Sequence, residues 1–186
     1  MRLFDIVALP LDRAIPTSTQ PENWLLQTLP PNVFPQLLGN AQQNRSVLQR
    51  LLGIAAASAS HPFLFGNAQT SIAHQHLLDS PLPFSLSLIR PLDLVWMRST
   101  DYHGRPRMLA EFCYGLPRQR YCLSVTDNEY ERRLLNATVQ GSRRITAKEL
   151  YSGQVSEVLL AASLGENFTP KNRHYKLIAG VLEMPK

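Results

Sequence analysis

The chain has 186 residues, of which 44% are hydrophobic and only 18% charged. That is enough apolar material for a real core, and enough length for one good-sized domain or for a barrel with a helical extension. Its net charge is +5; no stretch approaches bilayer-spanning length, Asp5 and Pro10 break up any signal-peptide apolar run, and the chain reads as a cytoplasmic protein with Cys113 and Cys122 reduced.

Residues 3–9 are rich in β-branched and aromatic side chains and predict a strand that Pro10 stops. A polar connector over 15–21 follows, and 22–26 opens a short apolar helical turn that Pro30 and Pro31 end. The best helix of the first half spans 40–52. Asn40 is its N-cap, Val47, Leu48, Leu51 and Leu52 recur at three- and four-residue spacing, and Gly53 stops the run. The opposite face is Gln and Arg, so this helix packs by one side. Residues 55–60 are small and flexible, 63–65 are extended and closed by Gly66, and 67–83 are irregular.

From residue 85 the texture changes. Residues 85–89 and 92–98 alternate with period two. A turn over 102–106 leads to a strand over 107–114, a tight turn over 115–117 and a fourth strand over 120–125, which is a hairpin signal. Thr126 and Glu129 have capping-box spacing and begin a short helix whose apolar face is Tyr130, Leu134 and Leu135. Residues 136–153 are polar; 155–163 and 175–182 are the last strands, with a polar loop over 165–173. The fold class is therefore mainly β with short helices (α+β): an OB-like antiparallel barrel, closed or partly closed, over 85–186, with an N-terminal strand-plus-helix extension over 1–84.

Charge follows the same division. Residues 1–89 carry four basic and four acidic side chains, whereas 90–150 carry eleven basic and seven acidic, and ten of those eleven cations are arginine. Arginine forks onto phosphate and stacks on bases better than lysine does, so a localised arginine-rich segment points to a polyanion; a merely solvated face is the bland alternative. Cations bracket aromatic rings through the two hairpins, and Trp96, Arg98, Tyr102, Arg105, Arg107, Tyr114, Arg118 and Arg120, with Tyr121, form the candidate single-strand site. Arg143 and Arg144, after Gly141 and Ser142, make a second basic group beside Arg132 and Arg133. Against this stands the parity of Trp96, which it shares with Leu92 and Leu94 and which favours the core.

His74 and His76 would share one face of a strand, yet a metal needs a third ligand and only Asp79 lies near, so no metal site is expected. There is no Gly-x-Ser-x-Gly elbow, no P-loop and no Gly-x-Gly-x-x-Gly loop. Helix capping accounts for the carboxylates Asp127 and Glu129. No enzyme activity and no cofactor are expected.

Several segments, in order through most of the chain, resemble the bacterial dual OB-containing domain family. They include Phe4-Asp5-Ile6-Val7-Ala8-Leu9-Pro10-Leu11, Gln20-Pro21-Glu22-Asn23-Trp24-Leu25-Leu26, Ser87-Leu88-Ile89-Arg90-Pro91, Tyr121-Cys122-Leu123-Ser124-Val125-Thr126-Asp127 and Tyr175-Lys176-Leu177-Ile178-Ala179. The resemblance implies OB-type barrels of no established biochemical function, with the first barrel incomplete or replaced in this chain, and it carries over no catalytic residue. The expected function is binding of single-stranded DNA or RNA. The alternative is a protein-interaction or scaffold subunit, hetero- or homo-oligomeric, motivated by the low charge, the one-sided helix and the open strand edges of an incomplete barrel.

Overall fold

The computed structural model describes residues 5–27, 36–138, 144–151 and 155–186. The N-terminal part contains β1 (Asp5–Ala8), β2 (Leu11–Ala14), β3 (Trp24–Leu26), β4 (Gln36–Asn40), α1 (Arg45–Ser58), β5 (Ser71–Ala73) and α2 (His74–Asp79). Then follow β6 (Leu86–Ile89), β7 (Leu92–Thr100), β8 (Pro106–Tyr114), β9 (Gln119–Val125), α3 (Asn128–Ala137), β10 (Arg144–Thr146), α4 (Ala147–Tyr151), β11 (Val155–Phe168) and β12 (Arg173–Pro185). Mainly β with short helices is the observed class.

The main sheet runs β10-β7-β8-β9-β12-β11-β6, with β5 added on β12. Two expectations about it need correction. Among the described residues no hydrogen-bonded ladder closes the barrel, which rules out the fully closed form of the expectation: the path ends at β10 and at β6. Nor is it wholly antiparallel, because β12 runs parallel to β9 through Leu177↔Ser124 and Ile178↔Val125. The sheet curls all the same. β6 and β7 are consecutive in the chain, joined by Arg90 and Pro91, yet β6 pairs with β11 and β7 with β8. Proline has no N–H to give to a ladder, which fits a break there.

Period-two patterning sets which residues face inward. Met108, Ala110, Phe112 and Tyr114 of β8 are buried, as are Tyr121, Leu123 and Val125 of β9, and residues between them are half-exposed. These side chains form one core with Trp96, Tyr130, Leu134, Leu160, Ile178 and Val181. Leu64, Phe65, Ile72 and Leu77 enter the same core from the N-terminal part. A second cluster gathers Ala41 and Ala55 with Leu159 and Met184, and Val47, Leu48, Leu51 and Leu52 pack on it, so α1 lays one face on the sheet as its sequence pattern demands.

Other local expectations give way to tertiary structure. The helix expected over 40–52 is α1, over Arg45–Ser58; its cap is Asn44, whose side chain accepts from Val47 N, and it runs through Gly53 to take in 55–58 of the stretch expected to be flexible. Burial of Ala55 against the sheet outweighs the roughly 1 kcal/mol that a mid-helix glycine costs. The expected helical turn at 22–26 is instead β3, paired with β2, and the expected irregular stretch 67–83 holds β5 and α2. The extended stretch expected over 63–65 becomes a single 3-10 turn, Leu64–Gly66. The capping box expected at Thr126 is replaced by Asp127, which accepts from Tyr130 N. A reciprocal box does occur at Thr146 and Glu149, where it opens α4.

Candidate nucleic-acid interface

The alternation along β7–β9 decides the fate of the rings. Trp96 is wholly buried, 5.4 Å from the Tyr130 ring, and so it is a core residue rather than a platform for a base. Tyr114 and Tyr121 are buried as well. The Tyr114 hydroxyl donates to the Ser58 carbonyl, and burial pushes its pKa up to about 12, with Tyr121 adding to the shift. Neither Trp96 nor Tyr114 offers a ring face to solvent. The physical reason is parity: both stand on the same side of the pleat as Leu94 and Phe112.

Residues of opposite parity make the outward face. On it stand Arg107 and Glu111 of β8, Arg120 and Cys122 of β9, and Arg144 of β10, with registers Glu111↔Cys122, Cys113↔Arg120 and Arg144↔Met97. Glu111, half-buried at the centre, accepts from Arg120 at 3.2 Å and from Arg144 at 2.8 Å, so one carboxylate links three strands. Arg107 donates to Ser124 Oγ. Of the described residues named on this face, three are arginines and one is a glutamate. A guanidinium presents its N–H donors as a planar fork, a shape that meets a phosphate as well as a carboxylate. Burial and the neighbouring Glu111 push the Cys122 thiol up, which keeps it neutral near pH 7.

The remaining predicted residues are dispersed. Arg118 sits in the β8–β9 turn, 3.8 Å from Asp93, with both groups well exposed; such a pair contributes ~1 kcal/mol at most. Arg98 lies half-buried near the end of β7. Arg143 lies outside the described residues. Arg133 is committed to Glu183 at 2.8 Å and lies 5.6 Å from the centre of the Tyr130 ring. His74 and His76 stand on α2 rather than on a strand, which removes their shared face. His74 Nδ1 lies 2.9 Å from Nε2 of buried His174, and no cluster of three His, Cys, Asp or Glu able to hold a metal occurs among the described residues.

The β7–β8 turn brings an aromatic ring of the candidate site out to solvent. Asp101 accepts from the backbone N–H groups of His103 and Arg105, each at 2.8 Å, through one carboxylate oxygen. Its own N–H donates to the Arg105 carbonyl at 2.9 Å, and Gly104 N donates back to the Asp101 carbonyl at 3.0 Å, with Gly104 in the left-handed region at φ 77°. The Arg105 N–H contact is the main reason the Asp101 carboxyl lies below its usual pKa. Held by this knot, Tyr102 is 90% exposed, its ring centroid 3.9 Å from that of His103, with Arg105 alongside. The β11–β12 turn carries a second, unforeseen group: Phe168, 47% exposed and edge-on to Tyr175, with Lys171 and Arg173 following. Its signal in the sequence was a cation pair beside aromatics in a polar loop.

A protein-family model, that of the dual OB-containing domain, matches residues 1–181. No curated protein and no solved structure matches the chain.

Proposed function

The chain belongs to the dual OB-containing domain family, and from that premise we propose that it is a non-catalytic module that binds single-stranded DNA or RNA across its β8–β9 face. OB-type barrels take oligonucleotides on the face of their second and third strands, between the loop joining strands one and two and the loop joining strands four and five. Here β8 and β9 hold those places in the strand order, and the β7–β8 and β11–β12 turns flank them. The observation that carries the reading is the pinned β7–β8 turn. A tyrosine ring 90% exposed on a backbone fixed by four hydrogen bonds is preorganised to stack, at little entropic cost on binding.

Stacking then belongs to Tyr102 and His103, and phosphate contacts to Arg105, Arg107, Arg120 and Arg144. Glu111 holds the last two apart from each other's repulsion until a phosphate arrives. The free thiols Cys113 and Cys122 agree with a reducing cytoplasm, and no helix among the described residues is long and apolar enough to cross a membrane. Fluorescence anisotropy with single-stranded DNA and RNA at about 50 and 200 mM salt tests the reading. Binding is expected to weaken with salt, and Arg105→Gln or Arg120→Gln each to lower the log–log salt slope by about one. Tyr102→Ala is expected to cost about 1–3 kcal/mol at both salts with the slope unchanged. Absence of binding at low salt overturns it.

A second reading, a subunit that docks a protein partner, rests on a separate observation. Trp24 and Leu26 of β3 and Leu37 and Leu38 of β4 are each more than half exposed, on two-stranded sheets that nothing among the described residues extends.

A further inference from the structure

Beside the β8–β9 turn lies a cavity of about 270 Å³ walled by rings: His61, Phe63, Phe65 and Phe84, with the prolines at 62 and 83. The Phe84 ring centroid is 5.9 Å from His61 and 6.2 Å from Phe65. Drug-sized sites run from roughly 300 Å³ upward, so this one suits a single flat ring system.

The backbone that builds it is strained. Phe65 has φ 50° and ψ 46°, a left-handed conformation that a bulky side chain rarely adopts. Two buried polar side chains hold it there. The Tyr121 hydroxyl accepts from Leu64 N at 3.0 Å and donates to the Asn67 carbonyl at 2.9 Å. Lys176, 2% exposed, donates from Nζ to the Leu64 carbonyl, to the Asn67 carbonyl at 2.7 Å and to Asn67 Oδ1 at 2.9 Å. A buried ammonium with no carboxylate beside it is a costly way to fix one turn, and what the turn achieves is to set the Phe65 ring as a wall of the cavity.

The cavity is also tied to the proposed interface. Gly115, at φ 79° in the β8–β9 turn, sits so close to residue 62 that a Cβ added there would lie 2.3 Å from the Pro62 carbonyl oxygen. That turn carries Arg118 and leads into Arg120, and no carboxylate lines the cavity. We infer that the pocket receives one unstacked nucleobase of the bound single strand, held between Phe63, Phe84 and His61. The inference rests on the single-strand reading above. Four rings around a space of this size suit the flat face of a base, and the contact between Gly115 and residue 62 joins the cavity to the β8–β9 face on which the strand is proposed to lie.

The test uses the full chain, oligonucleotides carrying one 2-aminopurine and the variants Phe63→Ala and His61→Ala. His61 is exposed, so its loss leaves the core intact if Phe63→Ala unfolds. With the wild-type chain, 2-aminopurine emission is expected to change on binding. Each variant is expected to bind about tenfold more weakly, with that spectral change lost and the salt slope kept. Variants that bind and report like wild type overturn the pocket assignment while leaving the single-strand reading standing. A wild-type chain that binds no oligonucleotide at low salt overturns both. A decaproline peptide that binds wild type but not Phe63→Ala, with oligonucleotide affinity equal in the two, assigns the pocket to a peptide instead.

Discussion

Lys176 places a cation among carbonyls and an aromatic ring, 5.2 Å from the centre of Tyr121, with no acid to neutralise it. Burial draws its pKa down to about 7. Above about pH 7 the folded chain therefore gives up a proton that the unfolded chain keeps up to about pH 10.4. Between these values the unfolded state holds more protons, so stability contributed at this site rises with pH, by at most about 1.4 kcal/mol per unit. Cys122 and the buried tyrosines work the other way, since burial raises their values and their contribution falls at alkaline pH. The window from pH 7 to 8.5 isolates the lysine. Lys176→Met is expected to be destabilised by about 2–4 kcal/mol, because the Leu64 and Asn67 acceptors lose their donor. In denaturant titrations the gap between wild type and Lys176→Met should widen as pH rises through that window. Parallel stabilities would show that the ammonium stays charged in its cage. Nothing in the sequence marked this lysine: it sits between Tyr175 and Leu177 in a strand, and its acceptors come from a turn more than a hundred residues earlier.

At the scale of elements, the β8–β9 turn joins the candidate interface to the ring-walled cavity, and Gly115 is the joint. Its positive φ penalises any side chain, and an alanine Cβ would also drive into the Pro62 carbonyl, which is backbone and cannot swing away. Gly115→Ala is expected to cost about 3 kcal/mol or more, read as a lower denaturation midpoint. Gly104→Ala, with a similar φ but open space around its Cβ, should cost only about 1 kcal/mol. Equal losses in the two variants would mean that the contact with residue 62 is absent in solution. The strands meeting at this turn were the best-read part of the sequence. β6, β8 and β9 fall within a residue of where period-two alternation puts them and β7 runs two residues past its expected end, because each has one buried and one wet face. β2 and β3 were not read: every residue of these three- and four-residue strands is exposed, so no alternation exists to find. α1 starts later than its sequence pattern suggests and runs past Gly53, whose intrinsic propensity is overridden by packing on β6 and β11.

For the whole molecule, charge and exposed apolar surface are segregated. The arginines that survive as candidate contacts lie on β8, β9, β10 and their turns, while Trp24, Leu26, Leu37 and Leu38 stand exposed near the other end of the chain. The arginine half of the candidate site could be read from composition. The ring half could not, since a tyrosine in a strand and one in a turn look alike until the register says that Tyr114 faces inward and Tyr102 does not. The N-terminal residues 1–89 are neutral overall, so a surface built from them can meet another protein without the repulsion that a chain of net charge +5 would otherwise feel. Two-stranded sheets are marginal alone in water and leave both edges open. The Leu37→Lys, Leu38→Lys double variant puts two cations on β4 without touching either core cluster. In light scattering, wild type is expected to show a mass that rises with concentration, and the variant to stay monomeric with unchanged oligonucleotide affinity. A wild-type chain that is monomeric across the whole range would remove self-association as the use of these strands. A variant that loses oligonucleotide binding together with association would show that the two surfaces act as one, against the segregation of charge and apolar surface along the chain.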